Sequence, residues 1–261
     1  MLGERMPLAE LCPGLETEAV LTAYCRGRTG LLADDGARWA VLILPGGGYE
    51  RIAPAEGEPV ALAFAAAGVQ AFVLSYSVLP ARWPRQFLEG AAALAWMRRH
   101  AGEYGFCPDR VAVCGFSAGG HLAGCLSCLW DHLILKEALG LAPAQVRPDA
   151  SILCYPVVNE GRYLSPLGGG EELRLDRRVR PDHPPAFLWA TAGDATVPAE
   201  NTLDYARALR ENGVPFELHI FQDGPHAMGL ADRESARDEA HYNAHAAAWH
   251  GLCVDWLKGR S

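Results

Sequence analysis

Serine is a weak nucleophile that needs a base and a further group to orient that base. The sequence offers one serine in a setting that fits this demand. In "VCGFSAGGHLAG", residues 113–124, Ser117 stands between Gly115 and the pair Gly119 and Gly120, after an apolar run and before a helical stretch. A G-x-S-x-G pattern at a strand-to-helix turn forces the serine backbone into a strained conformation, and bulky neighbours would clash there. The turn lifts the hydroxyl above the sheet edge and sets it at a helix N-terminus, where partial positive charge favours an oxyanion. The same pattern also fits a tight-packing turn that carries an incidental serine.

The partners come from later strand ends. Asp194 follows "AFLWATAG", and His226 lies in "QDGPHAMG" after "FELHIF". Asp223, three residues before His226, is the rival acid or else shapes the turn. Other histidines fit less well. His100 and His132 fall near predicted helix ends, His219 lies inside a strand, and His121 packs under the Ser117 turn. His241, His245 and His250 share the last predicted helix without an H-E-x-x-H motif, which makes them surface or core residues.

A third element is "LILPGGGYE", where Gly46, Gly47 and Gly48 directly follow a strong strand. No G-K-[ST] follows and the G-x-G-x-x-G spacing fails, so nucleotide binding is disfavoured. In a hydrolase, glycines here present backbone N–H groups to the acyl oxygen, together with the N–H of the residue after the nucleophile.

These groups need a rigid frame. Apolar, β-branched runs at 39–45, 69–76, 110–116, 150–156, 186–193 and 216–221 read as strands, and "EAVLTAYC" reads as an earlier one. Helical stretches separate them, which predicts an α/β fold with a mostly parallel sheet covered on both faces. The last helix is predicted over 237–257. The segment 159–185, rich in glycine, proline and charge, reads as a loop or small lid on a single domain spanning 1–261.

Bulk composition narrows the function. Half of the 261 residues are hydrophobic and 21% are charged, so a sizeable core is expected. A net charge of -8 with no useful basic run argues against nucleic-acid binding. The eight cysteines fit reduced thiols, and Cys125 and Cys128 lack the second pair a zinc set would need. The start lacks a signal core, and no stretch reaches the roughly 18 apolar residues of a membrane helix, which predicts a cytoplasmic protein.

Taken together, "LPGGGY", "GFSAGGHLA", "TAGDATVP" with Asn201 after it, and "ELHIFQDGPH" resemble the α/β-hydrolase superfamily, and within it the bacterial acetyl esterases similar to acetylxylan esterases. The resemblance spans roughly 39–256. It implies Ser117 as nucleophile, His226 as base and acid, Asp194 as its orienting acid, and N–H groups of Gly47, Gly48 and Ala118 as the oxyanion hole. It also implies an acyl-enzyme intermediate with no metal and no organic cofactor. Two departures stand out: Pro45 replaces the histidine that lipase-like relatives carry before the glycines, and Ala227 replaces a common glycine after the catalytic histidine.

The expected activity is short-acyl, acetyl-type ester hydrolysis on a sugar or small alcohol. A thioesterase or peptidase-like enzyme with the same triad is the alternative, and a non-catalytic ligand-binding homologue a third. Tyr49 and Trp83 either line the substrate pocket, where aromatic faces suit sugar rings, or pack in the core.

Overall fold

The structure, a computed structural model, describes residues 3–27 and 37–260. Its strands are β1 (Glu4–Pro7), β2 (Val20–Tyr24), β3 (Ala40–Leu44), β4 (Gln70–Ser75), β5 (Val111–Phe116), β6 (Ala150–Cys154), β7 (Ala186–Thr191) and β8 (Phe216–Phe221). They form one eight-stranded sheet in the order β1-β2-β4-β3-β5-β6-β7-β8. β1 and β2 pair antiparallel, as do β2 and β4, and every later pairing is parallel.

The central strands β3, β5, β6 and β7 are buried along their whole length, which is why they read as continuous apolar runs. Alternation still sorts their side chains by face. Ala40, Leu42 and Leu44 join one core cluster, with Val111, Val113, Leu153 and Leu188. Val41 and Ile43 join the other, with Ala112, Cys114, Ile152 and Phe187.

Helices of seven residues or more are α1 (Glu58–Ala66), α2 (Arg85–Arg99), α3 (Ala118–Cys128), α4 (Leu133–Leu139), α5 (Glu200–Glu211) and α6 (Ala248–Lys258). α2, α3 and α5 contribute Phe87, Leu122 and Leu209 to the first cluster; α1 and α6 contribute Phe64 and Trp249 to the second. Trp249 stacks on Trp189 of β7 with ring centroids 5.3 Å apart, which seats α6 on the sheet. None of the helices among the described residues is long and apolar enough to cross a membrane.

Three boundaries differ from the sequence reading. The last helix begins at Ala248 instead of 237. Asp238 caps a separate 3₁₀ turn (Glu239–His241), and the Asn243 side chain accepts from the amides of His245 and Ala246, so side-chain oxygens compete with helix continuation. The helix read over 118–133 after Ser117 ends at Cys128, where Leu129 leaves the helix, and α4 starts separately with the His132 imidazole capping the Ile134 amide. β1 was not foreseen: four residues at an exposed edge carry too little periodicity to read.

The segment 159–185 forms short helical turns: Gly161–Leu164, Ser165–Leu167, Gly170–Leu173 and Leu175–Arg177. Leu164, Leu167, Leu173 and Leu175 are buried in the core cluster on the α3 face. Hydrogen bonds pin the rest. The Trp83 amide donates to Leu167 O at 3.1 Å, and Glu172 receives the Trp83 indole N–H at 3.2 Å and meets His132 Nε2 at 2.8 Å.

Candidate active site

The Ser117 turn is set by sterics between β5 and α3. Ser117 has φ 54° and ψ -118°, a conformation that L-residues avoid and tertiary contacts must hold in place. Two glycines make the close approach available. A Cβ on Gly115 would come within 2.1 Å of Gly119 O, and one on Gly119 within 2.0 Å of Leu44 O. No side chain fits in either gap, so α3 can lie this close to β3 and β5 only with glycine at both positions. The Ser117 amide donates to Cys154 O at 3.0 Å, tying the turn to the end of β6.

His226 reaches the serine from the loop after β8. Its Nε2 is 2.7 Å from Ser117 Oγ, and its Nδ1 is 2.6 Å from Asp194 Oδ2. Asp194 is buried just beyond β7, and its other oxygen accepts from the amides of Thr196 at 2.8 Å and Val197 at 2.9 Å. A carboxylate held by two backbone donors cannot rotate away from the imidazole. Because that carboxylate accepts, Nδ1 carries a proton and Nε2 of the neutral ring is free to accept from the serine hydroxyl.

Asp223 does not join this chain. It is exposed, its side-chain contact is its neighbour Gln222 at 3.5 Å, and its carbonyl receives the Asn243 amide at 2.7 Å. It shapes the turn. Among the described residues no group of three or more histidine, cysteine or acidic side chains is arranged to hold a metal ion.

The glycine turn after β3 packs directly on the serine. A Cβ at Gly46 would sit 2.9 Å from Ser117 Cβ, and Gly47 takes φ +125°. Among the described residues, the amides of Gly47, Gly48 and Ala118 donate to no other protein group; for Ala118 this follows from its place at the first position of α3. Unpartnered amides beside a serine hydroxyl are what an oxyanion requires.

Tyr49 lies elsewhere than at a pocket wall. It is 1% exposed, and its hydroxyl is 2.7 Å from His121 Nδ1 beneath the turn. His121 Nε2 faces Leu173 O at 2.8 Å, and a carbonyl can only accept, so the proton sits on Nε2 and Tyr49 donates to Nδ1. Burial lowers the His121 pKa to about 4, which keeps it neutral in this role. The pair joins the glycine turn to α3 and to the 159–185 segment. Trp83 is half-buried, stacked on Phe87 and bonded to Glu172, so it anchors that segment. Tyr163 of the same segment comes to the Gly48 turn instead: a Cβ on Gly48 would meet its ring at 3.8 Å.

Sequence reasoning passed over Tyr155. Its ring lies edge-on to His226 with centroids 5.1 Å apart, and its hydroxyl accepts from Gly229 N at 2.8 Å. A tyrosine at the end of an apolar strand carries no pattern that marks it. Ala227, beside His226, holds φ 65°. An alanine there pays about 1 kcal/mol or more that glycine does not, partly offset by the greater unfolded freedom of glycine. Ala227→Gly is expected to raise unfolding stability by up to about 1 kcal/mol in denaturant titration. A lower midpoint for the variant would show that the backbone there is unstrained.

Known proteins resemble this chain in sequence and fold. A family profile described as the alpha/beta hydrolase fold matches residues 41–171, and one for the prolyl oligopeptidase family matches 160–251. The chain is 36% identical over 217 residues to "Endo-1,4-beta-xylanase B" of Butyrivibrio fibrisolvens, covering 77% of this chain and 34% of that one. The chain spans roughly a third to two fifths of the length of the first curated relatives it matches. The carboxylesterase Cest-2923 from Lactobacillus plantarum WCFS1 superposes with TM-score 0.89 at 26% identity, covering 100% of this chain and 98% of that one. The acetyl ester-xyloside bifunctional hydrolase from Caldicellulosiruptor lactoaceticus superposes with TM-score 0.80 at 30% identity, covering 98% and 96%.

Proposed function

Because the chain belongs to the alpha/beta hydrolase family, we propose that it is a serine esterase that removes short acyl groups, acetyl foremost, from a sugar or small alcohol. The observation that carries this reading is the unbroken relay Asp194–His226–Ser117, with contacts of 2.6 and 2.7 Å. Ser117 Oγ attacks the ester carbonyl while its proton passes to His226 Nε2. Asp194 steadies the resulting imidazolium, and the amides of Gly47, Gly48 and Ala118 receive the developing oxyanion. Collapse of that intermediate expels the alcohol, which takes the proton from His226. Water, activated by the same imidazole, then cleaves the acyl-serine and releases the acid. Losing one oxyanion donor in such a site costs about 10²–10³ in rate.

Similarity to an acetyl ester-xyloside hydrolase and to a xylanase supports a sugar-linked acetyl ester as substrate. The ordered 159–185 segment, which brings Tyr163 to the Gly48 turn, supports a confined site suited to a small acyl group. Hydrolysis of p-nitrophenyl acetate, butyrate and octanoate tests chain length. Expected kcat/KM is highest for acetate and at least about tenfold lower for octanoate. Release of acetate from acetylated xylo-oligosaccharides tests the alcohol. A preference for octanoate would overturn the short-acyl reading.

The match of 160–251 to the prolyl oligopeptidase family favours a second reading, a peptidase-like acyl hydrolase, since that stretch contains both Asp194 and His226. Cleavage of aminoacyl-nitroanilides faster than of acetyl esters would establish it in place of the first.

A further inference from the structure

The relay leaves one buried acid beside it unused. Glu56 ends a 3₁₀ turn (Pro54–Glu56) between the glycine turn and α1, and it is 1% exposed. Its Oε2 accepts from Gly46 N at 2.7 Å, immediately before the unpartnered amides of Gly47 and Gly48. Its Oε1 accepts from the Tyr155 hydroxyl at 2.9 Å. That same hydroxyl accepts from Gly229 N, three residues past His226, and the ring above it flanks the imidazole. One side chain thus ties the glycine turn to the histidine loop. Tyr76 supports the near end by donating to Pro45 O at 2.6 Å.

Each oxygen of this acid accepts a hydrogen bond, Oε2 from the Gly46 amide and Oε1 from the Tyr155 hydroxyl, the pattern that suits an ionised carboxylate. Burial raises the Glu56 pKa above its ordinary value, while the Gly46 amide, the Tyr155 hydroxyl and the positive charge of His226 and Arg237 oppose that rise. Burying a carboxylate is costly, but an apolar residue here would leave the Gly46 amide and the Tyr155 hydroxyl without an acceptor. Beyond a neutral acceptor, a carboxylate adds charge, and the nearest change of charge in the proposed reaction is on His226.

We propose that Glu56 is a positioning residue of the esterase: its carboxylate holds the oxyanion turn and the histidine loop in register through Gly46 and Tyr155, and places a second negative charge behind the His226 imidazolium. The proposal rests on the esterase reading. His226 is faced by Asp194, Ser117 and Tyr155, and Glu56 by Gly46 and Tyr155, with Tyr76 and Arg237 further out.

The test compares wild type with Glu56→Gln and Tyr155→Phe. His226 is followed by NMR titration of its Cε1–H resonance without substrate, assigned through its loss in His226→Gln. In Glu56→Gln the midpoint is expected to fall by about half a pH unit, since removing an anion disfavours the imidazolium. With p-nitrophenyl acetate, kcat is expected to fall about tenfold in both variants while KM stays within about twofold, because misplaced donors weaken transition-state more than substrate contacts. An unmoved His226 midpoint in folded Glu56→Gln overturns the charge. If that variant does not fold, Tyr155→Phe, which keeps the acid and the ring, decides: kcat within twofold of wild type overturns the clamp. Absence of wild-type turnover on any ester would overturn the esterase reading instead, and the midpoint would still report on Glu56.

Discussion

Ser117→Ala is expected to lower kcat for p-nitrophenyl acetate by about 10⁵–10⁶-fold and to leave the fold intact. Removing the hydroxyl removes the atom that His226 Nε2 meets at 2.7 Å, so no acyl-enzyme forms. What remains is binding and any stabilisation from the amides of Gly47, Gly48 and Ala118, which act on direct attack by water. Stability should change little, because the serine side chain is small and the strained φ of 54° is imposed by contacts on either side of it. A fluorophosphonate probe should label wild type and leave the variant unlabelled. Turnover within tenfold of wild type in a verified Ser117→Ala preparation would remove the nucleophile assignment and the mechanism with it.

Asp194→Asn is expected to cost about 10⁴-fold in kcat with little effect on KM. The reason lies in the unequal surroundings of the two carboxylate oxygens. Oδ1 is held by the Thr196 and Val197 amides, so an asparagine must place its carbonyl there and its NH₂ where Oδ2 meets His226 Nδ1. A donor facing Nδ1 moves the imidazole proton to Nε2, and the ring then presents a hydrogen to Ser117 where a lone pair is needed. Asp223→Asn serves as control. That carboxylate is exposed, and among the described residues its side-chain hydrogen bond is to Gln222, so kcat should stay within about twofold. A loss in Asp223→Asn matching that of Asp194→Asn would mean that the loop rearranges in the working enzyme.

The central frame was readable from one-dimensional pattern because buried parallel strands need apolar residues on both faces, and β3 to β8 all fall inside the apolar runs named from the sequence. The Ser117 turn was readable for a different reason. Glycine at 115 and 119 is required by contacts at 2.1 and 2.0 Å, and that demand marks the local sequence directly. Asp194 and His226 followed from their places at successive strand ends.

Tertiary structure decided the rest wherever the deciding partner is far along the chain. Asp194 prevails over Asp223 because a loop turns one carboxylate inward and leaves the other in solvent, although both are short polar residues next to glycine. Tyr49 belongs to His121, 72 residues away, and Glu56 belongs to Tyr155, 99 residues away. No propensity or spacing links such pairs, since a hydrogen bond between side chains depends on where the folded sheet brings two strand ends. The length of the last helix was also settled late: Asp238 and Asn243 offer side-chain caps whose competition with helix depends on their surroundings. Residue type and local spacing thus singled out Ser117, Asp194 and His226 as candidates. Packing determined which of them face the serine and which hold the frame around it.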